Sequence, residues 1–562
     1  MTTRGVVIAA ILLAATRVVY AGGLEIPDNG TEALGRGGAF TAKADDATAM
    51  QYNVAGLARQ RGTRVLLDGN LMLSTLDFTR AGNYPDAPSA ATPWGGQPFP
   101  TVHNTGGVFF APFVGISSDF GLDRWTFAVG VFGPSSVGNR TYPLSVGGVP
   151  SPARYDLVQA PPLVILPTVA AAVRATRWLD IGLALHVAVA KLDLRSVSFT
   201  DISKGVCPNA EYQPCDSTNH LETTGATATA ALGLMVHPVP FWAIGANVRG
   251  PIYLNTSGTV NATAPSAVPM QIAPGEATFT TNLPWVVRLG TRLMKLRADQ
   301  FEIADLEFDA TWENWSAAQG DGPKVNIPEL SIFQDIHPTI VHHYHDTYSL
   351  RLGASYNAQL PAGVLSFRVG GYYDSPATAP KDTRLDFDTL PKLAVTAGLG
   401  YSVHGFTINA AYAYVYELDR TVTDGDIAPV NGAAHGDSVD DQGNPLPAVN
   451  NGKYHGQTHI ISIGVTLRFD ELVGRKHHVR WPDEEAAQAE TPKRPVLARA
   501  TVKPEERDDE ATAPASDAPA SAESASEADA APAMTFAPER VGHRKAPPKK
   551  KHHPKHQARR SR

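Results

Sequence analysis

The sequence predicts an all-β chain: a 14-stranded antiparallel transmembrane β-barrel with an N-terminal hatch inside it and a disordered C-terminal tail. Three observations carry this reading. Runs of alternating apolar and small or polar residues recur along the chain. In one, Ile181, Leu183, Leu185, Val187 and Val189 alternate with Gly182, Ala184, His186, Ala188 and Ala190, which gives one face to lipid and the other to a lumen. The gaps between runs alternate long and short. After the first residues no segment holds eighteen uninterrupted apolar residues, so the chain cannot cross a membrane as helices.

Residues 1–21 read as a signal peptide, with Arg4 as its charged start, Val6 to Ala15 as the apolar stretch and Val19-Tyr20-Ala21 as the cleavage site. Residues 22–62 form a leader, and residues 63–469 hold the strands. These are expected at 63–79, 105–118, 124–136, 162–176, 178–198, 219–237, 241–258, 276–296, 300–317, 346–358, 362–374, 391–403, 405–419 and 455–469. Long gaps such as 80–104, 137–161 and 420–454 alternate with short ones such as Thr176-Arg177, Pro238-Val239-Pro240 and His404-Gly405. Outer-membrane barrels place short turns at the periplasm and long loops outside. An even count then leaves both termini periplasmic. Pro167 and Pro284 fall within strands, where a missing ladder donor marks a bulge or register break. The last run places Ile461, Ile463, Val465, Leu467 and Phe469 on one face, and aromatics at strand ends, Trp178, Tyr412, Tyr414 and Tyr416, suit interfacial girdles.

Export fits the cysteines. The chain has 2, Cys207 and Cys215, separated by Pro-Asn-Ala-Glu-Tyr-Gln-Pro. In an exported chain a disulfide is the expected state, over two free thiols or a metal pair. Residues 470–562 are expected to be a disordered periplasmic tail, rich from about Asp483 in Ala, Pro, Glu and Lys and without apolar periodicity. Its end, Arg540 to Arg562, carries basic residues and no acid. That end suits an anionic periplasmic surface, and the compartment argues against nucleic acid. The net charge of -7 decides little.

Fourteen strands enclose more space than side chains of the wall can fill, so the leader is expected to plug the lumen. It contains Leu34-Gly35-Arg36-Gly37-Gly38-Ala39-Phe40, then Ala44-Asp45-Asp46-Ala47, then Asn53-Val54-Ala55-Gly56-Leu57. These motifs resemble the hatch of the FadL-like outer-membrane transporters of long-chain fatty acids and aromatic hydrocarbons. Leu34, Gly35, Arg36, Asp45, Asp46, Asn53 and Ala55 match its pattern, although Val54 stands where that family has proline. Trp312-Glu313-Asn314-Trp315-Ser316 and Tyr373-Asp374-Ser375-Pro376 are similar to its later motifs.

The resemblance implies passive uptake of hydrophobic small molecules, capture inside the barrel and lateral release into outer-membrane lipid through a kink in the third strand. Gly133-Pro134 is the candidate kink. Strand parity turns Arg249, Arg288, Arg351 and Arg368 inward, with Glu307, Asp309 and Glu313. These arginines are candidates for a ligand carboxylate, while Leu24, Ile26, Leu34, Phe40 and Leu57 would supply apolar lining. Arg36, Asp45 and Asp46 are expected to anchor the plug. The chain is expected to be a monomer and not an enzyme. It has no phosphate loop, no nucleophile–base spacing and no expected cofactor, and His342, His343 and His345 read as a charged loop rather than a zinc site. Alternatives are a porin-like channel for polar solutes and an adhesin or structural barrel, and neither explains the leader.

Overall fold

The computed structural model describes residues 29–86, 93–134, 139–160, 163–199, 206–267, 270–331, 333–386, 390–430 and 446–473. The expected signal peptide (residues 1–21), Leu24, Ile26 and the residues beyond Val473 lie outside the described residues.

Fourteen antiparallel strands close on themselves. They are β1 (Thr63–Arg80), β2 (Val108–Ser118), β3 (Trp125–Phe132), β4 (Leu163–Arg174), β5 (Leu179–Phe199) and β6 (Asp216–Val239). β7 runs Trp242–Arg249 and resumes as Ile252–Thr263; β8 runs Gly275–Leu283 and resumes as Val286–Leu296. Then come β9 (Glu302–Glu313), β10 (Thr347–Leu360), β11 (Gly363–Asp374), β12 (Lys392–Val403), β13 (Phe406–Val422) and β14 (Gly452–Arg468). β14 pairs with β1 from Arg64↔Arg468 to Arg80↔Gly452, which closes the barrel. The alternation in sequence becomes two faces. Leu183 and Leu185 are 51% and 55% exposed, while Ala184 and Ala188 between their neighbours are fully buried.

Long and short connections alternate as the sequence indicates. At the short-turn end His404 and Gly405 take φ of 44° and 78°, the positive-φ pair of a tight hairpin turn. Several boundaries differ from expectation. β8 breaks at Pro284-Trp285, and β7 breaks at Gly250-Pro251, where no break was expected. β9 stops at Glu313, and Trp315–Ala318 forms a helical turn instead of continuing the strand. The following loop carries its own hairpin, Lys324–Leu330 with Phe333–Ile336. Phe469–Leu472, at the expected start of the tail, is a helical turn, and Asp470 accepts a hydrogen bond from the Thr63 amide at 2.6 Å.

Residues 29–60 pack against the inward faces of the strands. They form two short helices, α1 (Thr31–Gly35) and α2 (Ala49–Tyr52), and a 3-10 turn at Val54–Arg59. Phe40, Met50, Tyr52, Val54 and Leu57 make one apolar core with the strand residues Ala128, Ala172, Ala184, Ala231 and Met235. The wall is small where this segment touches it. Gly182 pairs with Gly233, Gly245 with Gly290, and Gly353 with Gly370 across neighbouring strands. A Cβ added at Gly182, Gly245 or Gly370 would collide with the backbone of Val54, Thr41 or Arg36 respectively. The three glycine pairs are shelves on which the segment's backbone rests.

Candidate functional site: plug, cavity and wall window

Polar anchors hold the inner segment to the wall, most densely at β9. Arg36 is fully buried and pairs with Asp305 at 2.6 Å and Glu307 at 3.0 Å, both on β9. The Phe40 and Thr41 amides both donate to Asp309 at 2.9 Å, and the Ala42 amide donates to Glu307 at 2.6 Å. Three carboxylates at successive inward positions of β9 thus receive one cation and a run of amides from the segment, and Asp305 takes a second cation, Arg292 of β8, at 2.5 Å, the arrangement that buried charge requires. Elsewhere Thr31 bonds Asp68 and Ser462, and Gln60 bonds Ser117 and Thr126. Asn53 caps the 3-10 turn through the Ala55 amide at 3.2 Å and donates to the Thr41 carbonyl at 2.8 Å. Its side chain does the ordering that a proline at position 54 would otherwise share. Asp46 caps the Thr48 amide at 2.8 Å, and Asp45 pairs with Lys43 at 2.6 Å. Leu34 packs with Met72 and Ile460, and Gly35 lies against Gly398.

The inward arginines Arg368, Arg351 and Arg288 are engaged by the segment or by the wall. Arg368 pairs with Glu32 at 2.8 Å, Arg351 with Asp374 at 3.6 Å, and Arg288 donates to the Gln51 carbonyl at 3.2 Å. Arg249 is half-buried in the lumen, near His186.

The wall itself is interrupted on the other side. β2 pairs with β1 along its whole length, Leu73↔Val108 to Thr63↔Ser118. With β3 it pairs only from Val114↔Val131 to Ser118↔Phe127. β3 leaves the ladder after Phe132. The Gly133 carbonyl accepts from Asn29 Nδ2 at 2.9 Å, and Pro134 has no N–H to donate. The chain returns at Asn139 to Thr141, where the Thr105 amide donates to the Thr141 carbonyl at 2.8 Å. Among the described residues, Val108–Phe113 therefore have no partner on the β3 side. That interval spans roughly 20 Å of strand.

A cavity of about 390 Å³ opens through this interval. Its lining joins the lipid-facing Phe110, Val114 and Val131 to the inward Leu254 and Phe279, so it passes through the wall. At the long-loop end it is bounded by Tyr155 and Leu157, and by Ile327 and Leu330 of the hairpin. None of the four inward arginines lines it, and neither does any described residue of the inner segment; Phe40 packs instead on Tyr52, 5.7 Å away. The cations on its wall are Arg195 and Arg384. Arg384 lies in a long loop, beyond the reach of strand parity.

Arg384 pairs with Asp156 at 2.9 Å and with Asp386 at 3.6 Å. The Leu385 amide donates to Asp156 at 2.7 Å, and His342 Nε2 lies 3.0 Å from Asp386. Burial pushes the Asp156 carboxyl up to about 6, with Arg384 opposing it. His343 meets Asp382 at 2.7 Å, and Lys381 meets Asp426 at 3.0 Å; the lysine supplies the cation of that cluster.

A disulfide joins Cys207 and Cys215. The loop it closes carries Glu211, which pairs with Arg80 at 2.5 Å and Arg154 at 3.0 Å. Burial pushes the Glu211 carboxyl up, but these two arginines outweigh it and hold the group below its ordinary value. Tyr155, next to Arg154, donates to the Ala210 carbonyl at 2.6 Å. The disulfide loop is thereby tied to the rim of the cavity.

Comparison with known proteins agrees with this geometry. Residues 12–469 match the family model described as outer membrane protein transport protein (OMPP1/FadL/TodX). No curated protein sequence matches the chain. Among solved structures, a Pseudomonas aeruginosa FadL homologue is similar with a TM-score of 0.62 at 16% identity, covering 80% of this chain and 100% of that one. The P. putida toluene transporter TodX gives 0.56 at 14% identity over 81% and 100%. The Ralstonia pickettii toluene transporter TbuX gives 0.55 at 16% identity over 78% and 98%.

Proposed function

We propose, from the premise that this chain belongs to the outer membrane protein transport family (OMPP1/FadL/TodX), that it captures hydrophobic molecules at its long-loop end and releases them sideways. The family transports hydrophobic compounds across the outer membrane and is not enzymatic. The finer steps are our reading. Long-chain fatty acids or hydrocarbons enter the loop-roofed cavity, pass the interval at Val108–Phe113 and leave into the bilayer. The short turns and both termini face the periplasm, the chain works as a monomer, and residues 29–60 act as a hatch.

One observation carries the reading: a single apolar cavity is lined both by lumen residues and by the lipid-facing Phe110. A lateral exit suits such cargo. Driving an alkyl chain into periplasmic water would cost ~0.8 kcal/mol per exposed CH₂, and passage into lipid avoids that. No step needs an energy source.

The test is to rebuild the ladder. Gly133→Val with Pro134→Val supplies the missing donor and two strand-favouring side chains. Uptake of a radiolabelled hydrocarbon or fatty acid by cells should fall at least tenfold, while the barrel still migrates in a heat-modifiable way. Unchanged uptake with a closed ladder would remove the lateral route.

A further inference from the structure

The polar spot in the cavity has no positive charge to spare. Two cations line the cavity among the described residues: Arg195, about half exposed, lies 3.6 Å from Asp193 away from the buried spot, and Arg384, within that spot, is shared by Asp156 and Asp386. Arg384, Asp156 and Asp386 are all nearly buried, with side chains 3%, 3% and 8% exposed. A further group is His342, fully buried and stacked on Tyr344 at 4.8 Å. Its Nδ1 faces the Ile340 carbonyl at 2.8 Å and its Nε2 faces Asp386 at 3.0 Å. With neutral His342 the four groups sum to a net charge of about −1; with the imidazolium they sum to about zero. Neither state leaves a surplus cation.

An alkyl carboxylate entering here would lose its hydration and meet two fixed carboxylates sharing one guanidinium. Burying an unpaired charge is far costlier than burying a hydroxyl, and a like charge at close range adds to that cost. A neutral molecule meets neither penalty. Its apolar body contacts the aliphatic and aromatic lining, and a hydroxyl, where present, can hydrogen-bond to a carboxylate already in place.

We infer that Asp156 and Asp386 are specificity residues that make this cavity accept neutral hydrophobic molecules and reject alkyl carboxylates. This rests on the capture reading above and narrows its cargo. Arg384 is then a structural cation that holds two loops together, and not a headgroup receptor.

The test uses the full protein in lipid nanodiscs, with empty nanodiscs subtracted, and the neutral fluorophore 1,6-diphenylhexatriene as the bound probe. Dodecan-1-ol, dodecanoate and dodecane-1-sulfonate compete at matched free concentrations near neutral pH. In the unaltered protein dodecan-1-ol should displace the probe at least tenfold more effectively than either anion. Asp156→Asn with Asp386→Asn removes both carboxylate charges beside Arg384 while keeping side-chain shape. It should tighten both anions at least tenfold and change dodecan-1-ol less than threefold. Adding Arg384→Gln to that double variant should abolish the gain in anion competition. Equal competition by anion and alcohol in the unaltered protein overturns the inference. So does anion competition left unchanged by Asp156→Asn with Asp386→Asn, which would show that the two carboxylates do not exclude anions. Both of these outcomes leave the capture reading standing. Failure of the probe to bind above empty nanodiscs removes the capture reading itself, and the inference with it.

Discussion

Arg36 is the strongest single tie between the inner segment and the wall, and its removal has a calculable effect. The side chain is 0% exposed, and its partners Asp305 and Glu307 are 0% exposed as well. Truncating one member of a buried ion pair costs about 3–5 kcal/mol, because the other is left uncompensated. The lower end applies here. Asp305 keeps Arg292 at 2.5 Å, and Glu307 keeps the Ala42 and Lys43 amides. A cost of about 3 kcal/mol raises the population of a displaced segment by roughly two orders of magnitude. The wall should be indifferent, since β9 and β10 stay paired from Ala304↔Tyr356 to Glu313↔Thr347. Arg36→Met should therefore insert and migrate as a heat-modifiable barrel. In a planar bilayer it should show ion-conducting openings about a hundredfold more often than the unaltered protein. Arg36→Lys should fall between, because an ammonium cannot reach both carboxylates as a fork does. If Arg36→Met conducts no more than the unaltered protein, the ion pairs do not hold the segment in place.

Two further outcomes are expected. Cys207→Ser with Cys215→Ser removes a cross-link worth about 2–3 kcal/mol in the chain-entropy model. The barrel should persist, while limited proteolysis should cut near Glu211 and probe binding in the cavity should weaken; protease resistance equal to the unaltered protein would show that the Arg80–Glu211–Arg154 contacts suffice. For the tail we propose an anionic periplasmic partner. A peptide of residues 483–562 should co-sediment with peptidoglycan or anionic vesicles at low salt and release as the Debye length shrinks from ~10 Å at 0.1 M to ~3 Å at 1 M. Absence of low-salt binding to either would leave the tail without a role at such surfaces, and truncation after Val473 should leave uptake near normal.

The barrel was legible because its determinant is local. Period-two alternation fixes which side chains meet lipid, and loop length fixes which connections share an end. Both survive in a single sequence. The breaks at Gly250-Pro251 and the helical turn at Trp315 were not legible, because each reflects what a neighbouring strand or loop offers. The inward arginines were found by parity, but parity cannot tell a ligand contact from a plug contact. Arg368 and Glu32 are more than 300 positions apart in sequence and 2.8 Å apart in space. Arg384 was missed for a related reason: it sits in a loop whose partner Asp156 belongs to another loop. One signal was available and unused. Gly182, Gly233, Gly245, Gly290, Gly353 and Gly370 all fall at inward positions of predicted strands, where a lumen filled by another backbone needs residues without a Cβ.

The cavity and the inner segment divide the lumen between them. No described residue of the segment lines the cavity, yet the segment touches the window's edge through Asn29 and the Gly133 carbonyl. Phe132, the last residue of β3, shares one apolar core with Met50 and Leu57 and stacks on Phe113 at 5.2 Å. A seated segment thus shores one edge of the window while staying out of the proposed path. On the proposed route, hydrophobic cargo reaches lipid with the segment seated, whereas water and ions cross only if the segment moves. The two routes should separate in one variant. Arg36→Met should leak ions and still transport hydrocarbon, because Arg36 contacts β9 and β10 and makes no contact with β2 or β3. Closing the window at Gly133-Pro134 should do the reverse. If loosening the plug stopped hydrocarbon uptake as completely as closing the wall does, cargo would have to pass through the segment, and the cavity at Val108–Phe113 would not be the route.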